Sequence, residues 1–406
     1  MKHLSGFHLG LSLAGLLLVL AAHGCGEDAG EPVNPLDKIA QVTAGPYQLR
    51  PTADSVEIRW ETDLEASSRV VWGVGEALSR TAVGEILEED YEGVTEEEMK
   101  PPPGFRHRVI VSGLEADQTY SYRIASAAEP PPAGRLQPAL GPADPLRMVV
   151  FGDTRTNDDD HRAVVEAIVD QDPDAVLHVG DFAAHSWEDE HWSRFFTIEA
   201  EMMRDRPFFP VFGNHEWYQY GWYKYRSYIG AFPDSGTDRY YAFDYGPVHG
   251  IVLDTEDKPY DDSERGQAQA TWLEAELARV SARAEPPILL VFFHRPLYTF
   301  SGAGPSKPLR SKLRPLFQQH GVDGVFWGHE HCYERFDIEG VPYVTTGGGG
   351  APLHVPDPPS GNDADLWVTS ESALNYLLLE GDATGLDVKV YLVPDDELFD
   401  SFRLTP

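Results

Sequence analysis

The sequence predicts a small all-β sandwich followed by a larger α/β domain with buried sheets. Between residues 41 and 127, short segments such as "SVEIRWET" and "RHRVIVSG" alternate apolar with polar residues. Period-2 alternation of this kind, interrupted by Gly, Asp and Pro, is typical of antiparallel strands. From residue 146 onward, apolar segments such as "LRMVVFGD" alternate with amphipathic ones such as "HRAVVEAIVDQD". That rhythm is typical of a layered α/β fold whose sheets are buried on both faces.

The domain boundaries follow from these patterns, and 406 residues are enough for two domains. We place the β-sandwich at residues 38–127, a Pro/Gly-rich linker at 128–145 and the α/β domain at 146–397. Within the sandwich, the segment "GLEADQTYSYRI" resembles the tyrosine corner of fibronectin-type domains, with Tyr120 as its tyrosine. The acidic segment "EILEEDYEGVTEEEMKPPPG" is predicted to be a solvated loop.

The amino-terminal segment has the features of an export signal. An apolar run at residues 11–22 follows Lys2; it is too short for a comfortable membrane span, and small residues end it. Cys25, in "AAHGCGEDAG", resembles the acylated cysteine of a bacterial lipoprotein. We therefore predict a signal peptide at 1–25, a tether at 26–37, and export to the bacterial cell envelope with a lipid on Cys25. A plain cleaved signal peptide is the alternative.

The charge of the chain limits its partners. Its 66 acidic and 32 basic residues give a formal charge of −34, which repels nucleic acid and anionic membranes. No cluster of Lys and Arg in the sequence would offset this repulsion. We therefore expect no nucleic-acid partner, and contact with a membrane only through a lipid on Cys25. Since Cys332 is the other cysteine, no intramolecular disulfide is expected once Cys25 is lipidated.

Residues of metal-ligand type follow the apolar strands of the predicted α/β domain: Asp153, Asp181, Asn214, His294, His329 and His331. In open α/β sheets, ligands bind beyond the carboxyl ends of the strands, so these side chains are expected to converge. Carboxylate, amide and imidazole together suit two metal ions about 3.5–4 Å apart. A bridging carboxylate and a shared water would then supply the hydroxide that attacks a phosphorus atom.

Five ordered blocks in this domain resemble those of the calcineurin-like metallophosphoesterases. They are "GD" at 152–153, "GD" at 180–181, "GNHE" at 213–216, "VFFH" at 291–294 and "GHEH" at 328–331. The sandwich in front, "GHEHCYERF" and the late "TTGGGGAP" resemble the purple acid phosphatase branch. The resemblance covers residues 40–395, and it implies a two-sheet α/β metallophosphoesterase sandwich.

The resemblance also implies a role for each site residue. Asp181 resembles the carboxylate that bridges two metal ions, which would be iron, zinc or manganese. The remaining ligands divide between the two ions, with Asn214, His294 and His329 on one and Asp153 and His331 on the other. His215 resembles the histidine that contacts the phosphate or protonates the leaving group. Seven other histidines are interpreted as surface or packing residues: His161, His178, His185, His191, His249, His320 and His354.

Two positions depart from the family pattern. The purple enzymes have a tyrosine three residues after the bridging aspartate, where this chain has Ala184. Other branches have a histidine where this chain has Arg155. The first metal would retain three protein ligands, which is the number found in catalytic metal sites. We predict that Arg155 binds the substrate phosphate, with an outward ion pair to the acidic residues 158–160 as the alternative.

These observations predict an exported, metal-dependent enzyme that hydrolyses phosphate monoesters in small phosphorylated substrates. A phosphodiesterase acting on nucleotides or lipids is one alternative, because the same centre serves both reactions. A non-catalytic envelope binding protein with a weakened metal site is the other. The presence of His215, which mere metal binding does not need, argues against that second alternative.

Overall fold

The computed structural model describes residues 38–88, 104–116, 118–256, 263–302 and 304–406. The predicted signal peptide, the tether and Cys25 lie outside these ranges, as do residues 89–103 of the acidic segment. Predictions about them therefore rest on the sequence. In the described ranges, no helix is long and apolar enough to cross a membrane.

The predicted all-β part is confirmed in the described residues. Its strands are β1 (Val42–Leu49), β2 (Ser55–Thr62), β3 (Arg69–Val74), β4 (Arg80–Val83), β5 (Glu85–Ile86), β6 (Phe105–Ser112), β7 (Tyr120–Ile124) and β8 (Ala133–Leu136). They form two antiparallel sheets, in the orders β1-β2-β6-β5 and β4-β3-β7-β8. Alternate residues of β2 enter the core between these sheets, namely Val56, Ile58 and Trp60. The period-2 alternation therefore marks the core face, as expected for strands.

The predicted linker at 128–145 is wrong in one respect, because it contains strand β8. This strand pairs with β7, where Arg123 lies opposite Ala133. The Pro- and Gly-rich composition of the segment gave no strand pattern. The strand forms because the edge of β7 offers backbone hydrogen-bond partners, which only the tertiary fold brings into place. Nearby, the hydroxyl of Tyr120 accepts a hydrogen bond of 2.9 Å from the backbone N–H of Glu115, which is the contact that a tyrosine corner makes.

The α/β part is also confirmed, and it contains thirteen strands among the described residues. They are β9 (Leu146–Phe151), β10 (Ala175–His178), β11 (Phe208–Pro210), β12 (Tyr241–Tyr245), β13 (Val248–Val252), β14 (Ile288–Phe292), β15 (Gly324–Trp327), β16 (Tyr333–Ile338), β17 (Val341–Thr346), β18 (Trp367–Glu371), β19 (Leu374–Asp382), β20 (Gly385–Val393) and β21 (Glu397–Leu404). Because β21 pairs with β20 as far as Leu404, the domain extends beyond the predicted end at residue 397.

Seven α-helices lie among the described residues. They are α1 (Asp158–Asp170), α2 (Asp189–Ile198), α3 (Ala200–Asp205), α4 (Asn214–Trp217), α5 (Gly221–Ile229), α6 (Glu264–Ser281) and α7 (Lys307–His320). The start of α1 illustrates the local signals. The side chain of Asn157 accepts a hydrogen bond from the backbone of Asp160, and three aspartates occupy the first turn, where the helix dipole favours negative charge. Val164, Val165 and Ile168 form the buried face of this helix.

Two sheets pack face to face and bring the ends of their parallel strands together. One sheet has the order β11-β10-β9-β19-β20-β21, and the other has the order β12-β13-β14-β15-β17-β16-β18. Strands β9, β10 and β11 are mutually parallel, as are β13, β14, β15 and β17. In register, Phe151 lies opposite His178 and Phe292 lies opposite Phe326. The loops that follow β9, β10, β11, β14 and β15 therefore leave the sheets at a common edge, and these loops carry the five blocks.

Candidate metal centre

The backbone of three predicted ligands has a left-handed conformation. The φ angles of Asp153, Asp181 and His329 are 58°, 60° and 70°, a region that costs non-glycine residues of order 1–3 kcal/mol. The glycines before them permit close approach. A Cβ on Gly180 would lie 2.7 Å from Nδ1 of His294, and one on Gly328 would lie 2.3 Å from Oδ2 of Asp153. Gly180 and Gly328 therefore leave the space that the side chains of His294 and Asp153 occupy.

The first ligand group consists of Asp153, Asp181 and His331. Their potential ligand atoms lie within 4.8 Å of one another, and all three residues are buried. Nε2 of His331 lies 3.6 Å from Oδ1 of Asp153. Two carboxylates and one imidazole around a small buried space suit a divalent or trivalent cation.

The second ligand group consists of Asp181, Asn214, His294 and His329. Nε2 of His294 lies 3.3 Å from Oδ1 of Asp181 and 3.1 Å from Oδ1 of Asn214. The rings of His294 and His329 are edge to face, with centroids 5.2 Å apart. Thus Oδ1 of Asp181 faces the second group, and Asp181 is also a member of the first. This is the placement that a bridging carboxylate needs, and the six predicted ligands all lie in this one centre.

Hydrogen bonds to the backbone fix the orientation of two of the imidazoles. Nδ1 of His294 lies 2.8 Å from the carbonyl oxygen of Val179, and Nδ1 of His331 lies 2.7 Å from that of Pro352. A carbonyl oxygen only accepts, so each Nδ1 carries the proton and donates. In the neutral form of each ring, Nε2 therefore presents its lone pair to the centre, which is how metal-binding histidines are usually held.

The electrostatics of the centre favour a positive charge. Burial raises the pKa of Asp153 well above its ordinary value. Burial also opposes the ionisation of Asp181, but the charge of His294 and its hydrogen bond hold the pKa of Asp181 well below the ordinary value. In turn, Asp181 outweighs the effect of burial on His294 and raises the pKa of that imidazole to about 10. In the absence of an ion, a proton on His294 supplies the cation that these buried carboxylates require.

The other two histidines remain neutral. Burial, followed by the positive charges of His294 and Arg295, lowers the pKa of His329 to about 2. Burial and Arg155 lower the pKa of His331 to about 3. A neutral imidazole is the form that binds a metal. The donor set therefore fits two ions, with Asp181 common to both.

His215 lies beside the centre with one ring nitrogen facing it. Its Nδ1 is 2.7 Å from the carbonyl oxygen of Ala184 and donates to it, while its Nε2 is 3.8 Å from Oδ2 of Asp181. Its backbone N–H donates to Oδ1 of Asp181 at 2.9 Å. The ring of Tyr218 meets His215 edge to face at 5.8 Å. Because the His215 side chain is 19% exposed, it is within reach of a substrate that enters from solvent.

The side chain of Arg155 points into the centre. Its Nε donates to Oδ2 of Asp181 at 3.2 Å, and its Nη2 lies 3.1 Å from Nε2 of His331. The predicted alternative, an outward ion pair with residues 158–160, is therefore not the arrangement in this structure. Arg155 instead contacts Asp181 and His331 of the first ligand group.

Glu216 supports the centre, although the sequence analysis did not single it out. Its two carboxylate oxygens accept hydrogen bonds from the backbone N–H groups of Asp181, Phe182 and Gly213, and from the hydroxyl of Ser186, at 2.9–3.1 Å. Burial and the charge of Asp181 raise the pKa of Glu216 to about 8, against the effect of these donors. The sequence signal was the position of this glutamate in the "GNHE" block, two residues after the predicted ligand Asn214.

Two further residues beside the centre were also missed. Nη1 of Arg295 lies 3.3 Å from Nε2 of His329, and its Nε donates to Glu256 at 2.8 Å. His354 stacks on His331 with ring centroids 4.2 Å apart, and its Nδ1 lies 2.9 Å from the carboxylate of Glu330. His354 therefore packs on a predicted metal ligand. Its position 23 residues after His331 in sequence gave no local signal.

Comparisons with known proteins agree with this geometry. A family model described as calcineurin-like phosphoesterase matches residues 146–333. Acid phosphatase type 7 of Homo sapiens is 30% identical over 305 residues, which cover 69% of this chain and 67% of that protein. Purple acid phosphatase 18 of Arabidopsis thaliana is 30% identical over 264 residues, which cover 60% of this chain and 58% of that protein.

A solved structure gives the same result for the fold. Purple acid phosphatase PPD1 from yellow lupin seeds superimposes with a TM-score of 0.71, covering 89% of this chain and 74% of that chain at 20% identity. The five blocks, the convergent ligands and the human relative lead to one assignment. The chain belongs to the calcineurin-like phosphoesterases, in the family of the purple acid phosphatases.

Proposed function

We propose that this protein hydrolyses phosphate monoesters with two metal ions held by the first and second ligand groups. The observation that carries this proposal is the position of Asp181, which the two groups share. Purple acid phosphatases use two metal ions, and metal-dependent phosphoester hydrolysis is the activity of this family. When bound, the ions lower the pKa of a water molecule and neutralise the charge of the phosphate.

The chain's own residues supply the remaining steps. Asp153, Asp181, Asn214 and the three histidine ligands would hold the ions, and Glu216 holds the loops that carry Asp181 and Asn214. Because Nδ1 of His215 already donates to Ala184, Nε2, which faces the centre, carries a proton only when the ring is the charged imidazolium. In that form, His215 can donate that proton to the leaving oxygen. Arg155 can turn its planar guanidinium from Asp181 toward two phosphate oxygens once metal ions neutralise the carboxylates.

Replacing Arg155 with alanine should lower kcat/KM by about 10–150-fold, because a charge-assisted hydrogen bond contributes roughly 1.5–3 kcal/mol. The metal content should not fall, since arginine is not a ligand. The matched control is Arg162→Ala, which removes an exposed arginine from α1. Steady-state kinetics and elemental analysis of both variants measure the effect. Full efficiency of Arg155→Ala would refute a role in phosphate binding.

The preference for monoesters over the diesters of the phosphodiesterase alternative is open to a direct assay. A panel of aryl and alkyl phosphates and the matched diesters, tested with added manganese, zinc or iron, separates the two reactions. Higher kcat/KM on monoesters supports our proposal, and higher kcat/KM on diesters refutes it.

The amino-terminal sandwich is proposed to be of the fibronectin type, on the basis of its strand orders and the hydrogen bond of Tyr120. It contacts the catalytic domain through apolar packing, as where Tyr47 stacks on Phe196, and through polar groups. Nη1 of Arg59 and the hydroxyl of Tyr47 each donate to the carbonyl oxygen of Tyr228 at 2.8 Å. The carboxylate of Glu57 neutralises Arg59. These contacts account for the burial of polar residues on the face of β2 opposite its core.

The protein is proposed to reside in the bacterial cell envelope, anchored by a lipid on Cys25. Replacing Cys25 with serine should then move the protein from the membrane fraction to the soluble fraction. Several acyl chains on one cysteine are needed for stable retention, because a single chain anchors only weakly. Cys332→Ser is the matched control and should stay with the membrane. An unchanged distribution of Cys25→Ser would refute lipidation at this residue.

A further inference from the structure

A second group of metal-ligand side chains lies outside the centre, at the start of α2. Nδ1 of His185 is 3.8 Å from Oε2 of Glu188, and Nε2 of His191 is 3.6 Å from the same oxygen. The two imidazole rings have centroids 4.9 Å apart. Potential ligand atoms of all three residues lie within 4.8 Å of one another. The side chains of His185 and Glu188 are 52% and 44% exposed, so an ion could reach them from solvent.

The separations within this group match a metal site better than a hydrogen-bonded cluster. Both nitrogen–oxygen distances exceed the range of a hydrogen bond. A tetrahedral zinc ion with ligands about 2.0–2.2 Å away holds its ligand atoms roughly 3.3–3.6 Å apart. Small side-chain rotations would therefore bring the three atoms onto one ion. Two imidazoles and one carboxylate, with an open fourth position, form a ligand set found in zinc proteins.

Within the part of the chain that the structure describes, the carboxylate of Glu188 makes no capping hydrogen bond at the start of α2, although Glu188 is the N-cap residue of this helix. A glutamate is also a poor cap compared with Ser, Thr, Asp or Asn. Burial, and then the neighbouring charge of His185, lower the pKa of His191, so this imidazole is neutral and able to bind metal at neutral pH.

We propose that His185, Glu188 and His191 bind a divalent transition-metal ion of the zinc type at a third site, separate from the binuclear centre. His185 directly follows Ala184, whose carbonyl oxygen accepts the hydrogen bond from His215. An ion at this site would tie the segment after Ala184 to the first turns of α2. It would thereby restrain the backbone carbonyl that orients His215.

The test compares zinc bound per chain in the wild type, a His185→Ala/His191→Ala double variant and a His320→Ala control. Each protein is equilibrated with the same free zinc concentration, and the bound zinc is determined by elemental analysis. Zinc bound at the binuclear centre is the same in each protein, so it cancels when the zinc contents of a variant and the wild type are subtracted. The double variant should bind one zinc ion fewer than the wild type, and His320→Ala should bind as many. A chain with a charge of −34 attracts cations generally, and the control removes that effect.

Equal zinc content in the wild type and the double variant would overturn the proposal, and so would an equal loss in His320→Ala. Glu188→Gln provides a second variant that preserves the size of the side chain. It should need a higher free zinc concentration to fill the site, because the carboxylate charge is lost. If the double variant fails to fold, the test rests on Glu188→Gln. A zinc titration of Glu188→Gln that matches that of the wild type would refute the site.

Discussion

Replacing Asp181 with asparagine should reduce kcat/KM on a phosphate monoester by about 10³-fold or more. The carboxylate serves both ligand groups, and metal ions contribute several kcal/mol of transition-state stabilisation. Each 1.36 kcal/mol corresponds to a tenfold change in rate. Asparagine has nearly the same shape, but it cannot supply the negative charge that two ions share. We therefore expect lower metal content together with the loss of activity.

Asp159→Asn is the matched control, because Asp159 is an exposed carboxylate in the first turn of α1. It should retain both metal and activity. Thermal unfolding of the two metal-free variants separates loss of metal from loss of fold. An Asp181→Asn enzyme with wild-type kcat/KM would show that Asp181 is not the bridging ligand.

Replacing His215 with alanine should lower kcat by ~10²–10⁴-fold on alkyl phosphates, which is the usual contribution of general acid catalysis. The loss should be smaller on aryl phosphates with good leaving groups, because they need no proton. The metal content should not change, since no predicted ligand is removed. His320→Ala, a partly exposed histidine at the end of α7, is the control. Equal losses on both substrate classes would contradict the role of proton donor.

The pH dependence gives an independent check on His215. Burial lowers its pKa, and the charge of Arg155 adds to this effect, against the opposing charge of Asp181. A general acid must be protonated, so the rate on alkyl phosphates should fall as the pH rises through this pKa. Because the pKa lies below the ordinary value of histidine, the fall should begin on the acid side of neutrality. The His215→Ala variant should lack this decline.

The sequence predicted the fold class and the convergence of the six candidate ligands, because both have local signals. Alternation with period 2 marks the sandwich strands, and a ligand directly follows each of five apolar strands. Strand pairing has no such signal. β19 lies beside β9, with Leu377 opposite Val150, although more than 200 residues separate them. β8 likewise depends on the edge of β7, so it was taken as linker.

The residues around the ligands could not be predicted from the sequence either, because their contacts also join distant parts of the chain. Arg295 and His354 contact His329 and His331 only after the sheets bring distant loops together. The direction of Arg155 also required the fold, because a guanidinium after β9 could face residues 158–160 or the ligands with equal local plausibility. A residue of metal-ligand type can be recognised in the sequence when it follows an apolar strand. The residues that contact those ligands depend on tertiary packing and cannot be recognised in this way.

The most direct test of the account is phosphate release from a simple aryl phosphate by metal-depleted protein, measured before and after manganese, zinc or iron is added. We predict no release without metal, recovery with at least one of the three in the wild type, and no comparable recovery in Asp181→Asn. Metal-dependent phosphoester hydrolysis is contradicted if none of these metals produces activity, or if the metal-depleted protein is as active as the metal-loaded one.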